Sequence, residues 1–221
     1  AFLIIQKRGE RYGIKPDRLS DIIIATTSIG IIGARILYVL RFPEIMQDSW
    51  ITILKVWEGG LILYGGVIAA LIFLFVFSRF KEYSFFTLTD ALVPYFAFVQ
   101  GFGRIGCYLN GCCGGRPTDL FIGVFFPGAA VAVHPTQIYS AIFCLVVAML
   151  LFRLSACQHK TGAVTTVYFL LYPAGRFFIE FLRINERIFL GLSAAQGISI
   201  VLFCAATVVF VQKKFWRLQD N

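Results

Sequence analysis

Charged residues are scarce in this sequence. Only 14% of its 221 residues are charged, while 58% are hydrophobic. A soluble domain carries about a quarter charged residues, so the shortage excludes a globule whose whole surface faces water. Phenylalanine is abundant instead, with 24 residues, which suits a surface that faces lipid. The composition therefore predicts a membrane protein.

Three sequence features that would indicate other kinds of protein are missing. No basic run with interleaved aromatic residues occurs, so we predict no nucleic-acid partner despite the net charge of +8. No long Ser- or Pro-rich linker separates domains. No repeat relates the two halves, as it does in many transporters. We predict a single transmembrane domain over residues 1–221.

Long apolar segments are the dominant pattern. A helix needs about 20 mainly apolar residues to cross the hydrocarbon core. Six segments meet this requirement: 21–40, 59–78, 88–109, 135–152, 162–182 and 189–212. We therefore predict an all-α, polytopic transmembrane helical bundle. The apolar residues at the start of the chain also lead us to expect one more helix before it, making seven.

Basic residues are distributed unequally between the two sides of this predicted bundle. Lys and Arg are more numerous in the N-terminal segment, the loops near 79–81 and 153–160, and the C-terminal segment. Since cytoplasmic loops are enriched in these residues, that side is predicted to be cytoplasmic. The longer connections near 41–58 and 110–134 are then extracytoplasmic.

Several ionisable residues fall within the predicted spans or at their edges: Arg35, Arg104, Arg176, Asp90 and Glu180. An arginine at the centre of a membrane helix costs at least about 2.5–3.5 kcal/mol. Such residues either face a functional site or form ion pairs that lock helix packing, and both interpretations stay open for Arg35. Asp90 begins its span, where a helix N-terminus favours a carboxylate.

Two of the arginines have neighbours that indicate a binding role. Arg176 and Glu180 are four residues apart, so they share one helical face and can form an ion pair. Arg104 lies one turn before a glycine-rich stretch. The planar guanidinium group matches phosphate oxygens, so these residues suit an anionic lipid head group. The glycines could equally serve a turn or tight helix packing.

Three sequence motifs contain or adjoin these residues: GRIGCYLNGCCGGRPT at 103–118, HPTQIY at 134–139 and GRFFIEFLR at 175–183. Three less distinctive motifs are GARILY at 33–38, GGLILYGG at 59–66 and QGISI at 196–200. In this order and at comparable spacing, they resemble the prolipoprotein diacylglyceryl transferase family. The resemblance covers roughly residues 20–210.

The resemblance implies a multi-pass enzyme of the bacterial cell inner membrane. Its members transfer the diacylglyceryl group of phosphatidylglycerol to the lipobox cysteine of a prolipoprotein, which is the first step of lipoprotein maturation. The products are a thioether and glycerol 1-phosphate, and no metal or organic cofactor is required. Arg104 and Arg176 would hold the phosphate, Glu180 would orient Arg176, and Asn110 and Gly115 would shape the head-group pocket.

The chain departs from the family pattern at Tyr64, where a histidine is commonest. Tyrosine, with an ordinary pKa near 10, is a weak base at neutral pH, but it can hydrogen-bond a phosphate or a thiol. Tyr64 therefore stands as a candidate catalytic residue or as an interface aromatic residue. The departure also keeps open a lipid-binding or lipid-handling protein, or a transferase with another acceptor. His134 is a candidate proton carrier or a hydrogen-bonding residue at a helix start.

Cysteines stand at two further positions where the family pattern has other residues. Cys107 and Cys112 replace an asparagine and a glutamate, and Cys113 follows directly. Inert packing and a disulfide in an oxidising outer compartment are both compatible with this group. The spacing does not match structural zinc patterns and lacks a nearby histidine, so no metal site is predicted.

Overall fold

The computed structural model describes residues 9–46, 55, 59–80, 83–127, 130–187 and 191–213. Within these residues the regular structure consists of helices, two of them short 3₁₀ helices, and three isolated β-bridges, with no strand. The six long helices are α1 (Pro16–Arg41), α2 (Leu63–Phe80), α3 (Phe85–Leu109), α4 (Thr136–Leu154), α5 (Ala163–Glu180) and α6 (Ala194–Lys213).

Each predicted span overlaps one of these helices, so the all-α, polytopic fold class is confirmed. Five helices of the described chain are long and apolar enough to cross a membrane, namely all but α5. In α5, Arg176 and Glu180 lower the hydropathy of an 18-residue helix. The predicted segment near 41–58 lies mostly outside the described residues, and the seventh helix stays a prediction.

Local sequence explains where several helices begin. Pro16 takes the first position of α1, where its missing N–H costs nothing. Gly162, with φ of 94°, precedes α5. Ser193 and Gln196 form a capping box at α6: the Ser193 N–H donates to Gln196 Oε1 at 3.0 Å, and the Gln196 N–H donates to Ser193 Oγ at 3.3 Å.

The chain divides into two compact units, Ala1–Ala91 and Leu92–Asn221. The prediction of a single domain is not tested by this division. In the first unit, α1 and α2 pack through glycines. A Cβ added at Gly33 would overlap Ala69 Cβ and lie 2.7 Å from the Gly65 carbonyl oxygen. Small residues that let backbones approach closely are typical of helix contacts in membranes.

In the second unit, α4 and α5 pack around an apolar core, and α6 packs against α5. The buried core residues are Val93, Ala97, Val147, Ala148, Leu151, Val164 and Tyr168. The hydroxyl of Tyr168 donates to Gln100 Oε1 at 2.9 Å, which satisfies its polar atom inside this core. Large apolar side chains such as Ile142 and Val201 are exposed on the helices, as a lipid-facing surface requires.

Candidate active site

A small cavity in the second unit brings together two of the predicted site residues. Arg104 comes from the end of α3 and Arg176 from the end of α5. The cavity is lined by Arg104, Ser140, Phe143, Cys144, Tyr172, Arg176 and Ile179. Two guanidinium groups from different helices, set among mostly apolar side chains, form a site with the charge to hold a phosphate group.

Glu180 holds one of these arginines in place. Its side chain is 1% exposed, and its Oε2 lies 2.6 Å from Arg176 Nη1. Its other oxygen, Oε1, accepts hydrogen bonds from Asn185 Nδ2 and, at 2.8 Å, from Ser193 Oγ. Arg183 Nε lies 3.8 Å from Oε2. The carboxylate is therefore fixed by four partners. The ion pair with Arg176 is the one that the i, i+4 spacing predicted.

The start of α6 completes this polar network. Gln196 is fully buried, and its Oε1 accepts a hydrogen bond from Arg187 Nη1 at 2.7 Å in addition to the capping bond from Ser193. Because Ser193 also donates to Glu180, the capping box of α6 and the ion pair of α5 share one residue. The position of the carboxylate thus depends on the start of α6.

Gly115 lies where no side chain fits. Its N–H donates to the His134 carbonyl oxygen at 2.9 Å. A Cβ added there would lie 2.5 Å from the Leu182 carbonyl oxygen, 2.7 Å from Thr136 Cγ2 and 2.9 Å from His134 Cβ. The glycine therefore lets the 110–134 segment approach the end of α5. His134 Nδ1 lies within hydrogen-bonding distance of the Tyr139 hydroxyl, at 3.3 Å.

Asn110 begins the turn that follows α3. Its N–H donates to the Gly106 carbonyl oxygen at 3.0 Å, and its side chain hydrogen-bonds the Cys112 thiol. Burial, followed by the neighbouring Cys113, raises the pKa of Cys112. Burial also acts to raise the pKa of Cys113, but hydrogen bonds with Cys112 and Arg183 and nearby positive charge lower it overall. The exposed thiol of this turn is therefore the more readily ionised one.

Tyr64 and Arg35 belong to the first unit. Tyr64 is the second residue of α2 and is 56% exposed. Arg35 is buried, and its Nη1 donates to the carbonyl oxygens of Gly59 and Gly60 at 2.7 and 3.1 Å. These bonds give Arg35 a structural role before α2. A role in substrate binding for Arg35, or in catalysis for Tyr64, stays a prediction.

The known protein family that matches this sequence is described as prolipoprotein diacylglyceryl transferase, and its sequence model matches residues 1–212. The chain belongs to this family. It is therefore a multi-pass membrane transferase, as the resemblance implied.

Curated relatives show the same family over nearly the whole chain. A phosphatidylglycerol–prolipoprotein diacylglyceryl transferase from Clostridium tetani is 35% identical over 97% of this chain and 88% of the relative. A second enzyme of this name from Clostridium perfringens is 36% identical over 95% of this chain and 84% of the relative. One from Synechocystis is 33% identical over 99% of this chain and 81% of the relative. The chain thus spans most of the length of these members of the family.

Two residues near the cavity were absent from the predicted site. Tyr172 lies one helical turn before Arg176, and its hydroxyl hydrogen-bonds Arg104. Arg183 lies beside Glu180 and Cys113. Tyr172 follows from helical spacing, since residues four apart share a face, whereas Arg183 lies three residues beyond the end of α5. Arg183 is the last residue of the motif at 175–183, so its short distance in sequence from Glu180 could have indicated that it contributes to the site.

Proposed function

We propose that this protein transfers the diacylglyceryl group of phosphatidylglycerol to the lipobox cysteine thiol of prolipoproteins. The observation that carries the proposal is the pair of arginines on one cavity, one of them held by a buried glutamate. The named activity of the curated relatives supports it. The reaction takes place in the bacterial cell inner membrane, where phosphatidylglycerol enters the site from the bilayer.

The chemistry is a displacement at the glyceryl carbon that carries the phosphate. The cysteine sulfur forms the new S–C bond while the C–O bond to the phosphate breaks. The leaving group departs as glycerol 1-phosphate with the bonding electron pair, and its phosphate takes up the proton that the thiol loses. Negative charge concentrates on that phosphate in a site of low dielectric constant, where Arg104 and Arg176 stabilise it.

The other predicted residues support this step in different ways. Glu180 orients the guanidinium group of Arg176 towards the phosphate. Gly115 and Asn110 set the backbone beside the head group, and His134 supports that segment. Tyr64 hydrogen-bonds the thiol or the phosphate and takes the place of the histidine of the commonest pattern.

Transfer of a labelled diacylglyceryl group to a lipobox peptide tests the proposal with purified protein in detergent. We expect a thioether product that is lost in Arg176→Ala and strongly reduced in Arg176→Lys, because a point charge does not reproduce the two-pronged guanidinium contact. Arg153→Ala, an exposed arginine at the end of α4, is the matched control and keeps its activity. Phosphatidylglycerol bound without any product would instead support the lipid-binding alternative.

The orientation of the chain is tested separately. In a cysteine-free background, Asp119→Cys is expected to react with a membrane-impermeant thiol reagent added from outside, and Arg153→Cys only after the membrane is opened. Both positions are exposed. The reverse pattern would contradict the outward orientation of the 110–134 segment.

A further inference from the structure

Three thiols meet at the end of α3. The sulfur atoms of Cys107, Cys112 and Cys113 all lie within 4.8 Å of one another. Within the described part of the chain, no histidine or carboxylate joins this group. The transfer reaction has no use for these thiols, because its nucleophile belongs to the acceptor protein.

A strained turn produces this arrangement. Cys107 is in the last turn of α3, and the chain then reverses through Gly111 and Cys113, whose φ angles are 65° and 66°. A left-handed backbone is unusual for cysteine and is retained only where the surroundings fix it. The Cys112 N–H donates to the Cys107 carbonyl oxygen at 3.1 Å, which closes the turn.

Two buried side chains at the start of α4 hydrogen-bond the backbone of the turn that carries Cys112 and Cys113. Gln137 Nε2 donates to the Cys112 carbonyl oxygen at 2.6 Å, and Thr136 Oγ1 donates to the Cys113 carbonyl oxygen at 3.1 Å. Both residues are fully buried. The backbone that carries two of the three thiols is therefore fixed before any ligand arrives.

The spacing fits one metal ion better than it fits one disulfide. A disulfide joins two sulfurs and leaves the third unused. Zinc–thiolate bonds of about 2.3 Å in a trigonal or tetrahedral arrangement place sulfurs about 4 Å apart. The observed limit of 4.8 Å is less than 1 Å above this separation.

The charges nearby also suit bound thiolates. Cys113 hydrogen-bonds Arg183, and the positive charge of Arg104 also acts on it. Three thiolates around a divalent cation leave one net negative charge, which the positive charges of Arg183 and Arg104 partly offset. Metal binding requires deprotonated thiols and releases their protons.

We propose that Cys107, Cys112 and Cys113 bind one thiophilic d¹⁰ cation of the Zn²⁺ type through three thiolates, leaving a fourth coordination position open to water. The ion ties the last turn of α3 to the turn that follows. Because Arg104 lies one turn before Cys107, the bound ion steadies the end of the helix that carries the phosphate-binding arginine.

The test uses full-length protein, reduced with a phosphine, freed of metal and titrated with Cd²⁺ or Zn²⁺. We expect one Cd²⁺ per chain, seen as a thiolate-to-metal charge-transfer band, and three thiols protected from maleimide until a strong chelator is added. Single serine substitutions at positions 107, 112 and 113 weaken binding by more than about tenfold. Cys157→Ser and Cys204→Ser, at exposed cysteines, bind normally.

The wild-type protein alone can refute the proposal, so poor folding of a variant does not decide it. Stoichiometric protection of three thiols by metal, reversed by chelator, supports it. Reduced wild-type protein that shows no thiolate-to-metal charge-transfer band and leaves all three thiols open to maleimide in the presence of Cd²⁺ would overturn it. The same holds if two of the three thiols stay locked in a disulfide under conditions that reduce exposed disulfides. Transfer activity is a separate measurement, so failure here leaves the proposed function untouched.

Discussion

Glu180→Gln removes one charge from the buried network at the end of α5 while preserving the size of the side chain. Arg176 would lose its partner at 2.6 Å, and Arg183 would lose its nearest carboxylate. Glutamine Oε1 can still accept the hydrogen bond from Ser193. The change therefore isolates the charge of residue 180 from its shape.

The expected loss of unfolding free energy is about 2–3 kcal/mol. Breaking a buried ion pair by removing one partner costs about 3–5 kcal/mol. The retained acceptor and the 19% exposure of the Arg176 side chain place Glu180→Gln below that range. For a chain of this size, the melting temperature should fall by about 5–10 °C. We expect transfer to slow by about 10²-fold, because Arg176 is no longer held against the developing phosphate charge.

Thermal unfolding in detergent and the kcat and KM for phosphatidylglycerol measure both effects. Glu186→Gln is the matched control, since it makes the same change at an exposed glutamate six residues away. Wild-type stability and wild-type kcat in Glu180→Gln would refute the role of the carboxylate. A loss of stability with unchanged kcat/KM in the folded fraction would limit Glu180 to a structural role.

Three further changes test other parts of the site. Gly115→Ala should destabilise the protein by about 1–3 kcal/mol, because the added Cβ has no room. Gly103→Ala is the control, since open space surrounds Gly103, and thermal unfolding measures both variants. If the Tyr64 hydroxyl assists proton transfer, Tyr64→Phe should lower kcat about 10²-fold, whereas Tyr64→His should retain transfer. Equal activity of Tyr64→Phe and the wild-type protein would exclude that role. In metal-free protein at neutral pH, Cys113 should be alkylated faster than the exposed Cys157, because the lowered pKa of Cys113 increases its thiolate fraction. Mass spectrometry of the labelled peptides measures both rates.

Hydropathy was sufficient to predict the helices, but the pairing at α5 needed helical periodicity as well. A span of about 20 apolar residues leaves little choice of structure in a membrane, since every backbone polar group must be satisfied within the segment. The spacing of Arg176 and Glu180 then predicted their ion pair, which the structure confirms at 2.6 Å. In each case the interacting residues lie close together in the sequence.

The contacts that sequence reasoning missed join residues distant in the chain or depend on irregular backbone. Gln137 reaches the Cys112 carbonyl across 25 positions, and the left-handed conformation of Cys113 has no signal in a residue type that rarely adopts it. These two features turn a C-x₄-C-C spacing, which matches no structural zinc pattern, into three converging thiols. A spacing rule assumes ordinary backbone between ligands, so it fails where two left-handed residues fold the chain back within one turn. The convergence of the three thiols is therefore a property of the folded backbone and not of the spacing, and metal titration tests whether that backbone holds an ion.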